Sequence, residues 1–124
     1  MEIKTATPEM VIVKLYEGAL RFLRQAKQSQ TDGDVAGRAN AIARTLAIVS
    51  ELQQSLNIEQ GGEIAKNLDS LYFYVTDRLL EANARGSVQP LDEASGVLST
   101  LNEAWVEISK RSSSAPEASA AVPG

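Results

Sequence analysis

The chain has 124 residues, 44% hydrophobic and 23% charged, with a net charge of -4; that suits one globular domain with one core and gives no electrostatic drive toward nucleic acid or an anionic membrane. Histidine and cysteine are both absent. That excludes disulfides, thiolate metal sites and the commonest general base and metal ligand, leaving any enzyme only carboxylates, Lys, Arg, Tyr and Ser.

Residues 1–6 are too short for a stable element and read as a short N-terminal arm. Thr7-Pro8-Glu9 is a helix start, with a hydroxyl cap, proline at the first position and an acid in the first turn. The first helix is predicted over about residues 8–30. Its inner stripe is Val11, Leu15, Gly18, Ala19, Phe22 and Ala26, and Gly18 marks a close helix crossing. Thr31-Asp32-Gly33-Asp34 is a turn, with Asp34 capping a second helix over about 35–56, whose inner face is Val35, Ala39, Ile42, Leu46 and Val49. Asn57 suits a left-handed C-cap of that helix.

The best-marked amphipathic run is Gly61 to Asn83, where Ile64, Leu68, Leu71, Tyr72, Val75, Leu79 and Ala82 recur at helical spacing. It predicts a third helix over about 61–85, with the glycine pair as the turn before it and Gly86 as its stop. Phe73 and Leu80 fall on its back, and Tyr74 on a flank. Ser87 caps a fourth helix, over about 88–111, with a narrow inner stripe of Ala94, Leu98, Leu101, Trp105 and Ile108. Residues 112–124, rich in Ser, Ala and Pro, read as a disordered tail. No strand-like alternation occurs. Four helices joined by short turns over residues 7–111 predict an all-α, antiparallel up-down-up-down four-helix bundle. No apolar run reaches the roughly 18 residues of a membrane span and no signal-peptide pattern is present, so a soluble cytosolic protein is expected.

Candidate chemistry is thin. Glu17, Glu63, Asp69, Asp77 and Glu81 lack the Glu-x-x-His partners of a di-metal bundle and read as solvated faces. Gly61-Gly62 follows a helix, not a strand, with no phosphate-loop lysine after it. Neither a metal nor a cofactor is expected. Lys14, Arg21, Arg24 and Lys27 line one side of the first helix but are interrupted by Glu17, so they too read as a solvated face. What stands out is a doubled apolar stripe. Ile12, Tyr16, Leu20 and Leu23 run beside the inner stripe of the first helix, and Ala41, Thr45, Ile48 and Leu52 beside that of the second. On the first helix the two stripes span roughly 200°, about twice the usual apolar width. The surplus is either buried by an irregular bundle or reserved for an amphipathic partner or self-association.

Taken together, four segments resemble the flagellin export chaperones called FliS. ATPEMVIVKLYEGALRFLRQA at 6–26 is similar to the family opening A-S-P-E-x-L-V-x-x-L-Y-E-G-A-x-R-F-L. ELQQSLN at 51–57 and GGEIAKNLDSLYFYVTDRLLEAN at 61–83 follow in order, then Ala104-Trp105 with Glu107-Ile108. The resemblance covers about residues 7–110. It implies an antiparallel four-helix bundle without catalytic activity or cofactor. It implies a cytoplasmic chaperone that binds the disordered C-terminal region of flagellin in apolar grooves, prevents premature polymerisation and delivers the subunit to the flagellar type III export gate. On that expectation the flagellin surface is Ile12, Tyr16, Leu20, Leu23, Ala41, Thr45, Ile48 and Leu52, with Tyr74 at its margin; these positions rest on the helical wheel alone. The chain departs from the family pattern in its short MEIKTA arm, in Phe73 where Asp is frequent and in Thr45 where Ala is frequent. A small self-associating or adaptor bundle, dimerising through the same stripe, is the alternative. A bundle enzyme or metal protein is disfavoured by the missing His and Cys.

Overall fold

A computed structural model describes residues 7–121, with side chains described over 7–111; the arm at 1–6 and residues 122–124 lie outside the described residues. Four helices follow in order: α1 (Pro8–Asp32), α2 (Val35–Gln54), α3 (Ile58–Arg85) and α4 (Val88–Ala121). Each packs against its sequence neighbours, and α1 also packs on α4, so the helices close a ring with α1 and α3 on one diagonal. Connections of two or three residues leave no room for parallel neighbours, which makes the arrangement antiparallel.

The helix ends follow local chemistry. The Thr7 side chain accepts from the Met10 amide at 3.1 Å, and Asp34 accepts from Gly37 at 2.9 Å, each satisfying a donor that a first helical turn leaves free. Gly33 and Gly86 close α1 and α3 in the left-handed conformation. The second connection differs from what the sequence predicts. Asn57 has φ -107° and caps the start of α3, its side chain accepting from the Gln60 amide at 3.0 Å, so it is not a left-handed stop for α2. A single helical turn then forms before the glycines, and α3 begins at Ile58 rather than near Gly61. Gly62, at φ 57° and ψ -133°, breaks the helix there. The backbone of α4 continues to Ala121, past the Arg111 stop that composition predicts.

The core is asymmetric along the bundle axis. At the end where α1 and α3 finish, small side chains such as Ala26, Ala41 and Ala82 let the helices approach closely around Leu23, Ile42, Leu79 and Leu91. Arg38 locks this end, donating to Gln30 Oε1 at 2.6 Å and to the Asn83 carbonyl at 3.3 Å, while Gln30 donates to the Gly86 carbonyl. Midway, the hydroxyls of Tyr16 and Tyr72 meet at 2.6 Å across the α1–α3 diagonal. Both side chains are buried. Burial, then the bond to Tyr72, pushes the Tyr16 phenol well above the ordinary tyrosine range, against the opposing effect of the Trp105 indole N–H. Burial likewise raises Tyr72.

Two expectations follow. The folded state keeps phenolic protons that the unfolded chain releases near pH ~10, so this stability is complete below about pH 10 and is lost as pH rises above it. Denaturant titrations of wild type at increasing pH should show that loss, and Tyr16→Phe/Tyr72→Phe should lack that component. At neutral pH, Tyr72→Phe alone should cost about 1–3 kcal/mol, because it leaves the Tyr16 hydroxyl with one buried partner fewer. Backbone geometry makes the second expectation. A Cβ on Gly62 or Gly96 would meet nothing within 4 Å, yet only Gly62 has a positive φ. Gly62→Ala should destabilise by about 1–3 kcal/mol, while Gly96→Ala, inside α4, should stabilise by roughly 1 kcal/mol. Thermal unfolding of the two variants checks both signs.

Candidate functional site

At the opposite end of the bundle the apolar supply outruns the cover. Val11, Ile64 and Ile108, all placed by periodicity on inner stripes, are exposed there, Ile64 to 73%. An open apolar cavity of about 340 Å³ results, lined by Ile12 from α1, Leu52 and Leu56 from α2, Ile64, Ala65 and Leu68 from α3 and Trp105 from α4. Tyr72 forms part of its floor, so the phenol pair lies directly beneath. The rim is polar: Ser55, Asn57 and Gln60 come from the α2–α3 corner.

The glycine pair shapes this mouth. A Cβ on Gly61 would lie 2.6 Å from that of Ala65, so a glycine there lets the corner fold tightly onto α3. The break at Gly62 ends the short turn and starts the long part of α3, which carries Ile64, Ala65 and Leu68 to the groove. Beside it, the Gln53 side chain donates to Asp69 at 2.8 Å, tying α2 to α3.

A second, shallower apolar cavity of about 520 Å³ lies between α3 and α4, lined by Leu71, Val97 and Leu101 and edged by Asp92 and Glu93. Leu101 belongs to this groove and Trp105 to the first, four positions further along α4, so one helical stripe joins the two.

The structure redraws the doubled stripe. Tyr16, Leu23, Ala41, Thr45 and Leu52 are buried, so as a free stripe they are corrected to core. The reason is positional: α1 contacts both α2 and α4, and Tyr16 reaches the diagonal helix as well, so a wide apolar arc is needed inside the monomer. The Thr45 hydroxyl is satisfied within its own helix, donating to the Ala41 carbonyl at 2.9 Å. Ile12, Leu20 and Ile48 are half-buried, packed against the core edge. Tyr74 is exposed on α3 beside the Arg78 guanidinium, 5.9 Å from its ring centroid, and does not line the first groove. Of the wheel-derived set, Ile12 and Leu52 reach that groove. Leu56, Ile64, Ala65, Leu68 and Trp105 complete it. Their signal in the sequence is that the apolar periodicity of α3 starts immediately after a glycine pair.

No helix among the described residues is long and apolar enough to cross a membrane, and none of their side chains form a cluster of metal-ligating type.

Comparison with known proteins places this architecture. A family model described as Flagellar protein FliS matches residues 1–112. The chain is 38% identical over 112 residues to the flagellar secretion chaperone FliS of Salmonella typhimurium, covering 90% of this chain and 83% of that one. It is 37% identical to the flagellar secretion chaperone FliS of Campylobacter jejuni, over 82% of this chain and 80% of the relative. It is 34% identical to the flagellar secretion chaperone FliSB of Pseudomonas aeruginosa, over 87% and 86% respectively. These relatives are named as chaperones, not as enzymes. An all-α four-helix bundle, an open apolar end and a family match over almost the whole chain agree, and the protein belongs to the FliS family of flagellar secretion chaperones.

Proposed function

We propose that this protein is a cytosolic, non-catalytic export chaperone whose guest is the disordered C-terminal region of flagellin. The observation that carries the reading is the open groove walled by Ile12, Leu56, Ile64, Leu68 and Trp105. Ile64 is exposed and Ile12, Leu56, Leu68 and Trp105 are half-buried, which leaves apolar area that an amphipathic helix covers. Full burial of an exposed large side chain contributes roughly 1.5–3 kcal/mol, and covering the half-buried ones adds a share of that at each position, which together help order a segment that is unfolded when free. The stripe from Trp105 to Leu101 gives a guest that wraps the bundle a path from the first groove to the second. Holding that segment on the chaperone keeps it from polymerising and leaves it ready for the flagellar type III export gate.

Calorimetric titration with a flagellin C-terminal peptide tests this. Wild type should bind one to one. Leu56→Asp and Ile64→Asp should each weaken binding by about tenfold or more, while circular dichroism shows the helices intact, because both side chains stand at the mouth. Leu52→Asp should instead unfold the bundle, since Leu52 is 2% exposed. Wild-type affinity in both mouth variants would rule the groove out as the guest site.

A further inference from the structure

The cations of this acidic chain are not evenly used. Among the described residues, Lys27, Lys66, Arg78 and Arg85 each form an ion pair with a carboxylate, and Arg38 is held by Gln30 and the Asn83 carbonyl. Lys14, Arg21, Arg24 and Arg44 have no ion pair, and all four lie on α1 and α2.

Two of them converge. The Arg21 guanidinium carbon lies 5.9 Å from the Phe22 ring centroid, and that of Arg44, from the facing helix, lies 5.6 Å from the same centroid. Gly18 makes room beside them. A Cβ there would lie 3.4 Å from Ile48 Cδ1 and 3.8 Å from Arg21 Nη2, so the guanidinium folds over a notch floored by Ile48. Both guanidiniums thus stack on one aromatic ring, and neither has a carboxylate within ion-pair distance, which leaves both charges available to an acidic group. Both arginines are exposed, while Phe22 and Ile48 are half-buried.

We propose that Arg21 and Arg44 form a docking site for an acidic segment of a protein partner. Carboxylates of the partner pair with the guanidiniums, and a neighbouring apolar side chain rests on Phe22 and Ile48. A peptide fits better than a nucleic acid. The chain carries a net charge of -4, and Glu17 and Glu51 stand exposed on the same two helices, so an extended polyanion is repelled where a short acidic stretch is not. This surface lies on the outer α1–α2 seam and does not depend on the groove at the bundle end.

The test uses the full chain and, as probe, a short capped peptide of repeated Glu-Leu-Ala-Glu, followed by amide chemical shifts. Binding should shift Phe22, Arg44 and Ile48 and should weaken as salt is raised. It should weaken about tenfold or more in Arg21→Gln/Arg44→Gln, and as much when Gln replaces Glu in the peptide. The double variant should keep wild-type helix content and wild-type affinity for the flagellin peptide. Shifts confined elsewhere, equal binding of the Gln peptide, or undiminished binding by the double variant would each overturn the proposal. So would loss of flagellin-peptide affinity in the double variant, which would make the arginines part of the guest site. Duplex DNA binding or self-association that disappears in the double variant would also overturn it, by naming a different occupant.

Discussion

A hydrogen bond between two phenols crosses the bundle from α1 to α3, and packing differs on its two sides. A polar pair at the centre of an apolar core is stable only while both hydroxyls stay matched, so Tyr16 and Tyr72 hold the two diagonal helices at one separation. Beyond that crossbar toward the sealed end, alanines let the helices close together, and the Arg38 clasp ties the helix ends down. On the other side the helices carry Leu, Ile and Trp that the described residues leave partly open. The groove is the consequence of a bundle pinned in the middle and closed at one end only.

That asymmetry bears on how a chaperone of this family can hold a guest without losing its own fold. Core residues such as Leu23, Val49, Leu79 and Leu98 lie behind the Tyr pair and owe nothing to a partner. The mouth residues are largely outside that core, so covering or uncovering them need not disturb the ring. Glycines set the mouth for two separate reasons: Gly61 because of the neighbouring Ala65, Gly62 because of its backbone angles. The arginines of the α1–α2 seam that have no ion pair among the described residues lie on a different surface from the groove.

Periodicity read the elements well and the surfaces poorly. The caps at Thr7 and Asp34 and the stop at Gly86 are local chemistry, decided within a few residues, and they stand where the sequence places them. Asn57 was ambiguous because the same residue type serves at either end of a helix, and only the path of the chain into α3 selects the N-cap role. The doubled stripe is undecided by sequence for a different reason. A helical wheel measures how wide an apolar arc is but not how many neighbours it faces. Tyr16, Leu23 and Thr45 turn inward because α1 and α2 each have two packing partners, and α1 also reaches α3 across the diagonal through Tyr16.

Sequence alone therefore determined the number of helices, their order, the first and third turns between them and, through the LYEGA, GGEIA and Ala104-Trp105 segments, the family. Those properties are encoded in residues near one another in the chain, or in fixed motifs. Tertiary structure decided which apolar groups are sealed and which remain open. Ile64 and Val75 follow the same period on one helix, yet one is exposed and the other is buried. The difference is their distance from the bundle end, and that depends on where three other helices stop.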